Sequence, residues 1–360
     1  MTANSGPSRG LPCDIIGARL EPFIPEKLYV LAEFIVGNSL RKLAREHRFL
    51  QRALWRLDFA LVSLVVWLAR RMSIDTASRF GERLGRWVGP KMPHKATIFR
   101  ENLSIAFPEL NSADLDALAT DIWGQAGRIL GEYPHLDTIL AEDDRLVIEI
   151  REPIASYTDP SRPCVVVSAH QSNWEVVCSA MAKLGMPNAS LYSPPSNPLL
   201  DKMLLESRQA LNCQLLPRDN SARLLVRALK KGRSVGMVMD RRVDDGQPVQ
   251  FFGRDKNSTI VPAKLALKHH CELIPVQVVR LEGARYKVIF HPPVHPRDPG
   301  ADENVQATDM IQQVHQQFEQ WIRERPGHWF CSKRLWPKKK ATAVSSATDA
   351  SDNEVDSYAA

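Results

Sequence analysis

Paired cysteines, long apolar runs and the common nucleotide and metal motifs are all missing from this chain. Its six cysteines (Cys13, Cys164, Cys178, Cys213, Cys271 and Cys331) lie far apart with no C-x-x-C spacing. That sets aside zinc ribbons and disulfide scaffolds and reads as reduced thiols in a cytoplasmic compartment. No G-x-x-x-x-G-K, G-x-G-x-x-G or H-E-x-x-H occurs, which argues against P-loop, dinucleotide and zincin chemistry, so no metal or bound cofactor is expected. No internal repeat is present, and Met1 to Pro12 lack the basic start and apolar stretch of a secretory signal. The longest apolar segment, Ala53–Ala69, is broken by Arg56, Asp58 and Ser63. As a helix it would reach about 25 Å, against a hydrocarbon core of about 30 Å.

Charge is present in excess of one sign. The net charge is +6, but the last twenty residues hold four acidic side chains and no basic ones, so residues 1–340 carry +10. Such a balance suits nucleic acid, anionic lipid headgroups or an acidic carrier protein. Around Ala53–Ala69 the pattern is more specific. Arg56, Ser63 and Arg70 fall seven apart on one helix face, and the opposite face is apolar with Trp55 and Trp67. Arg41, Lys42, Arg45, Arg48 and Arg52 precede the segment and Arg70 and Arg71 follow it. This layout fits a helix lying in the interface of an anionic leaflet. A long core helix of a soluble domain is the other reading.

With 44% hydrophobic residues the chain has material for a large core. Residues 1–20 and 338–360 have the composition of disordered ends, the latter an acidic tail. Residues 21–140 read as helical and membrane-associated, including Ser112–Ile129 with Asn111 or Ser112 as cap. From about 141 to 337 short apolar runs alternate with amphipathic helices. Strands are expected at Leu146–Ile150, Cys164–Ser168, Ala189–Tyr192, Cys213–Leu216, Ser234–Met239, Leu273–Val279 and Tyr286–Phe290. Helices are expected at Glu175–Leu184, Pro198–Leu211, Ser221–Lys231 and Val261–His270. The alternation predicts an α/β fold with a mixed, largely parallel central sheet flanked by helices, whose ligands bind beyond the carboxyl ends of the strands.

The segment Val165-Val166-Val167-Ser168-Ala169-His170-Gln171-Ser172-Asn173-Trp174-Glu175 places His170 at such a strand end. Five residues along one helix would turn His170 and Glu175 apart, but across a strand-to-helix turn they can meet. A histidine with an ordinary pKa of about 6.5 can take a proton from a hydroxyl, and a carboxylate on its other nitrogen would fix the tautomer and stabilise the imidazolium. His170 and Glu175 are therefore the candidate catalytic pair. Asn173, Trp174, Arg218 and Asp240 are candidate substrate contacts. Arg218 follows a strand and can grip a phosphate, or it can be a surface arginine paired with Asp219. Asp240 follows the strand Ser234–Met239 and can equally be a structural ion-pair partner.

His170-x-x-x-x-Glu175 resembles the H-x-x-x-x-D/E block of the lysophospholipid acyltransferase superfamily, and its surroundings are similar to the bacterial lipid A lauroyl and myristoyl acyltransferase branch. The resemblance covers about residues 55–336. It takes in Glu101-Asn102-Leu103-Ser104-Ile105-Ala106-Phe107-Pro108, the stretch Ser193 to Asp201, Leu215 to Arg218, Ala228 to Gly232, Met239-Asp240, and Phe251-Phe252-Gly253 with Pro262-Ala263. It implies acyl transfer from acyl carrier protein or coenzyme A to a hydroxyl of a membrane lipid, foremost a lipid A precursor, at the cytoplasmic face of a bacterial inner membrane. A lysophospholipid or another glycolipid is the alternative acceptor. It also matches Arg218 to the family's second-block arginine and Asp240 to its third-block acid. Three places depart: about fifty residues precede the apolar segment, Asp240 is followed by Arg241-Arg242, and the ending Arg325 to Trp336 is only loosely similar. That aromatic and basic ending can rest on lipid headgroups or form a buried cluster.

Two rival readings come from the same residues. Gly232-Arg233-Ser234-Val235-Gly236 matches the G-x-S-x-G of serine hydrolases, with Asp240 and His269, His270 or His291 downstream, but here the helix precedes the serine and the strand follows it, the inverse of a nucleophile elbow. A basic non-enzymatic membrane-binding or nucleic-acid-binding module would explain the charge. Aromatics are not interleaved with basic residues along strands as base stacking requires, so no nucleic-acid partner is expected.

Overall fold

The computed structural model describes residues 40–152, 159, 162–218 and 221–337. The ends expected to be disordered, and Asp219, lie outside the described residues. The chain divides into two compact units, one reaching Trp67 and including Ser193–Ser207, the other comprising Leu68–Tyr192 and the residues from Arg208 on.

In the first unit, helix α1 (Arg41–Glu46) is followed by α2 (Arg48–Arg70), which continues past Trp67. Leu54 and Trp55 pack with Ala44, and the Trp55 carbonyl accepts the Asn197 Nδ2 at 2.9 Å. Trp55 is thus buried rather than on the outward face, which instead carries Leu57, Leu61, Leu64 and Trp67. No helix among the described residues is long and apolar enough to cross a membrane.

The second unit is α/β. Its early helices are α3 (Ile74–Val88), α4 (Pro93–Ala106), α5 (Ser112–Glu132) and α6 (Leu136–Ala141). Asn111 caps α5 by accepting the Asp114 N–H at 3.0 Å, which satisfies one of the amides left open at a helix start. Helices α3 and α5 cross at glycines: a Cβ on Gly81 would lie 2.1 Å from the Gly127 carbonyl oxygen, and one on Gly127 2.0 Å from that of Gly81. Only hydrogen fits at that crossing. The C-terminal end of α5 thereby carries Glu132 into the interior, fully buried.

Seven strands, β1 (Leu146–Ile150), β2 (Val165–Ser168), β3 (Asn188–Tyr192), β4 (Gln214–Pro217), β5 (Ser234–Val238), β8 (Leu273–Arg280) and β9 (Tyr286–Phe290), form one sheet in the order β1-β9-β8-β2-β5-β3-β4. The five from β8 to β4 are parallel, β9 runs against β8, and β1 is parallel to β9. The mixed, mostly parallel sheet flanked by helices is as expected, with strand ends within a residue or two. A strand buried on both faces reads as a continuous apolar run. In β2, Val165 and Val167 point into the core that holds Phe99, Leu103 and Ile122 of α4 and α5, and Val166 points into the opposite core with Tyr286 and Phe290.

Helices α7 (Val176–Lys183), α8 (Pro198–Ser207), α9 (Ser221–Lys230) and α10 (Val261–Lys268) match the four expected helices, except that 208–211 tighten into a 3₁₀ turn. Two elements had not been anticipated. Strands β6 (Gln247–Phe251) and β7 (Arg254–Ser258) form a separate antiparallel hairpin. Its turn residues Phe252 and Gly253 both have positive φ, 51° and 67°. That is the geometry of a two-residue turn matched to strand twist, and it is strained at the phenylalanine. The Phe252 ring is buried and stacked on Trp329 at 5.6 Å, a contact that offsets the strain. The last helix, α11 (Glu303–Glu324), buries Ala307, Met310, Ile311, Val314, Phe318, Trp321 and Ile322 at helical spacing.

Candidate active site

Strands β2 and β5 are adjacent and parallel, with Val165 opposite Val235 and Ser168 opposite Val238. Continuing that register by two residues brings His170 opposite Asp240, and the Met239 N–H still donates to the Ser168 carbonyl at 3.0 Å. The His170 Nδ1 and Asp240 Oδ1 are 2.5 Å apart. Both residues are buried. The carboxylate on the imidazole is therefore Asp240, which corrects the expectation that Glu175 takes that place. A second oxygen of Asp240 accepts the Trp329 indole N–H at 2.8 Å, and the buried Lys256 ammonium donates to the Asp240 main-chain carbonyl at 2.7 Å. With both carboxylate oxygens occupied, Asp240 has one orientation.

Glu175 stands at the start of α7 and faces the other way. It makes a two-pronged ion pair with Arg208 of the 3₁₀ turn, with Arg208 Nε 2.8 Å from Oε2 and Nη2 on Oε1, and it accepts the Tyr133 hydroxyl at 3.1 Å. Its effect on His170 is electrostatic only, a pull toward the charged form. Asn173, expected at the substrate, is buried and donates to the Glu132 carboxylate at 3.4 Å. Glu132 also takes Arg280, Tyr286 and Ser78, so Asn173 ties the loop after β2 to α5, β8 and β9. Trp174 lies edge-on to His170, with ring centroids 4.9 Å apart, and stacks on Phe330 at 6.0 Å. Arg218 is exposed just past β4, its main-chain N–H on the Tyr192 carbonyl at 3.1 Å.

The loop carrying His170 is held by the C-terminal segment. The Phe330 N–H donates to the His170 carbonyl at 2.7 Å, the Ser172 N–H donates to the His328 carbonyl at 2.9 Å, and Gln171 pairs with Trp329. Ser172 sits in the left-handed region at φ 52°, so the chain turns sharply between strand and helix. Of the two readings of the ending, burial is the one observed: Trp329 is fully buried, and Leu335 and Trp336 are also inside. Sequence offered no local sign that Trp329 would reach Asp240.

The electrostatics follow from burial and partners. Burial pushes His170 below its usual 6.5, and Arg241 adds to this, although Asp240 pulls the other way. Burial would raise Asp240, but the His170 imidazole, the Trp329 indole and Lys256 together hold its carboxyl well below the usual carboxylate range. Burial brings Lys256 down to about 7. The site thus has a neutral imidazole at rest beside a carboxylate that stays ionised. That combination accepts a proton from a hydroxyl and then stabilises the resulting cation.

Ser234 has no part in this. It starts β5, at the end of the sheet opposite Asp240, and its buried Oγ accepts the Cys164 N–H at 3.0 Å. Among the hydrolase candidates, His291 packs on Trp321 at 4.6 Å and contacts Gln277, leaving Ser234 with no histidine partner among the described residues.

Comparison with known proteins adds an independent finding. A family model described as bacterial lipid A biosynthesis acyltransferase matches residues 44–338. The lipid A biosynthesis palmitoleoyltransferase of Escherichia coli (strain K12) is 26% identical over 228 residues, 61% of this chain and 68% of that protein. The lipid A biosynthesis lauroyltransferase of the same strain is 25% identical over 241 residues, 64% of this chain and 76% of that protein. A lipid A biosynthesis acyltransferase of Haemophilus influenzae is 22% identical over 224 residues, covering 60% and 70%.

Proposed function

Because the chain belongs to the bacterial lipid A biosynthesis acyltransferase family and is an acyltransferase, we propose that it transfers a fatty acyl group from a thioester, on acyl carrier protein or coenzyme A, to a hydroxyl of a lipid A precursor, with His170 as general base. The observation that carries this reading is the buried His170–Asp240 pair at the carboxyl edge of the sheet.

With Nδ1 engaged by Asp240, Nε2 is the nitrogen that receives the acceptor proton. As the O–H bond lengthens, the oxygen attacks the thioester carbonyl and the imidazolium forms against the ionised Asp240. Main-chain N–H groups at the start of α7, the positive end of its dipole, suit the developing oxyanion. Collapse breaks the carbon–sulfur bond, and the departing thiolate takes the proton back from Nε2. No covalent acyl-enzyme is required. Trp174 against the imidazole edge limits its rotation. Glu175 serves as a positioning residue, since its bond to Arg208 anchors the helix start that follows His170.

The membrane part of the proposal rests on α2. Leu57, Leu61, Leu64 and Trp67 recur at helical spacing and are 45%, 40%, 53% and 50% exposed. An apolar stripe of this kind, with Arg52, Arg56 and Arg70 exposed on the same helix, suits a helix lying in the headgroup region on the cytoplasmic side of a bacterial inner membrane.

The test is transfer by the purified chain, read as a mass gain of one acyl chain on a lipid A precursor. His170→Ala should lose at least ~10²-fold in rate and Ser234→Ala should keep it. An inactive serine variant beside an active histidine variant would overturn the mechanism. Membrane-bound protein should resist a wash in about 1 M salt, where charge attraction reaches only about 3 Å. Complete elution would remove the role given to the apolar stripe.

A further inference from the structure

Alternate residues of a strand point the same way, so the β6–β7 hairpin, with Gln250, Arg254 and Asp255 exposed on its outer face, calls for apolar side chains on its inner one. Val249 and Phe251 meet that demand. Lys256, opposite Val249 in the register, does not, yet it is fully buried. Its ammonium lies 4.6 Å from the centre of the Phe251 ring and donates to the Asp240 main-chain carbonyl at 2.7 Å. It meets Asp240 through the main chain because the two carboxylate oxygens hold His170 and Trp329. An ammonium taken out of water is costly unless a nearby charge compensates it, and Asp240 supplies that charge. The neighbouring titratable groups do not. His315 of α11, with Nδ1 2.9 Å from the Ile311 carbonyl and Nε2 3.2 Å from the Ser258 hydroxyl, is kept neutral by burial and by Lys256 itself. Burial and the Asp240 charge push the Cys331 thiol up, so it is neutral too.

We infer that Lys256 is a positioning residue for the proton transfer: its ammonium, fixed to the Asp240 main chain, keeps His170 free of a proton and so sets the acid limit of the reaction. The inference rests on His170 as general base. A carboxylate alone would hold a proton on the imidazole beside it, and a base that already carries a proton cannot take one from a hydroxyl. A positive charge at Asp240 keeps the carboxylate ionised and opposes the imidazolium, so the pair rests as carboxylate and neutral ring. Of the other charges acting on His170, Arg241 works in the same sense and Glu175 in the opposite one.

Nitrogen NMR of the intact ¹⁵N-histidine-labelled chain reads the effect without turnover. In wild type His170 should gain its second proton below the ordinary 6.5. In Lys256→Met, which keeps the length and loses the charge, that step should move up by about one pH unit or more, and in Lys256→Arg, which keeps the charge, it should stay near the wild-type position. A wild-type ring that titrates above 6.5 overturns the proposal whether or not either variant folds, and so does a folded Lys256→Met in which the ring is unmoved. Acyl transfer across pH gives the second readout. On the acid side of the profile Lys256→Met should lose about tenfold in kcat/KM, the consequence of a one-unit shift, while near pH ~8.5 it should stay within about threefold of wild type. An equal loss at both ends is what damaged packing gives, and it would overturn the role. If His170 shifts as expected but the wild-type chain transfers no acyl group, the general-base reading falls and the control of His170 protonation by Lys256 stands.

Discussion

Replacing Asp240 by asparagine separates the role given to this carboxylate from mere packing, because the side chain keeps its shape and loses one acceptor. Asp240 receives two bonds, one at His170 Nδ1 and one from the Trp329 indole N–H. The indole can only donate, and Trp329 is fully buried. An asparagine oxygen turned toward His170 would leave that N–H facing an NH₂ group, at a cost of about 1–3 kcal/mol. The favoured arrangement therefore gives the oxygen to Trp329 and the NH₂ to His170. Nδ1 must then accept, its proton moves to Nε2, and the nitrogen that should receive the acceptor proton already carries one. The charge opposite the imidazolium is lost as well. By analogy with other histidine–carboxylate pairs, the rate should fall about 10³- to 10⁴-fold, or about 4–5 kcal/mol of transition-state stabilisation. Acyl transfer gives the rate, and nitrogen NMR of ¹⁵N-histidine-labelled protein shows which ring nitrogen bears the proton. A variant with kcat within about threefold of wild type and the proton still on Nδ1 would refute the reasoning.

Glu175→Gln should behave differently: it leaves the His170 tautomer as in wild type but strips the counter-charge from Arg208, whose side chain is 12% exposed. Stability should drop by about 3–5 kcal/mol, the range for breaking a buried pair, and an unchanged melting temperature would show the pair to be dispensable. Acid should destabilise the protein in a window set by its histidines. Burial and nearby arginines depress His291 and His328 to about 4, and burial takes His315 well below 6.5. Each stays neutral when folded but gains a proton below about 6.5 when unfolded, so its contribution is full above 6.5 and is lost as pH falls to about 4. Melting temperature should therefore decline between pH 6.5 and 4, ahead of the depressed carboxylates, and His291→Gln should make the decline shallower. A melting temperature that holds constant across that range would contradict the burial argument.

The sheet was legible because its strands are buried on both faces and read as apolar runs, Val165-Val166-Val167 most plainly. The hairpin β6–β7 escaped because its residues alternate with Gln, Asp and Lys and its turn uses Phe252 where asparagine or glycine is usual. Helix α11 has a regular apolar face and a capping Asp302, signals strong enough to have placed it. His170 could be placed from its strand. Its partner was misassigned because sequence proximity favoured Glu175, whereas pairing across parallel strands joins residues seventy apart. One clue was available: His170 and Asp240 each stand two residues beyond the end of an apolar strand. Trp329 and Arg208 gave no such clue, since they reach the site from a C-terminal segment and a 3₁₀ turn.

The pairing of charges around His170 explains why Asp240, and not a nearer acid, must be its partner. Glu175 is matched by Arg208 and Glu132 by Arg280, both guanidinium groups that keep their charge throughout the accessible pH range. Such pairs can hold a loop or a helix start in place, but neither partner can exchange a proton with a substrate. Asp240 faces an imidazole, a group that can take up a proton and give it back near neutral pH.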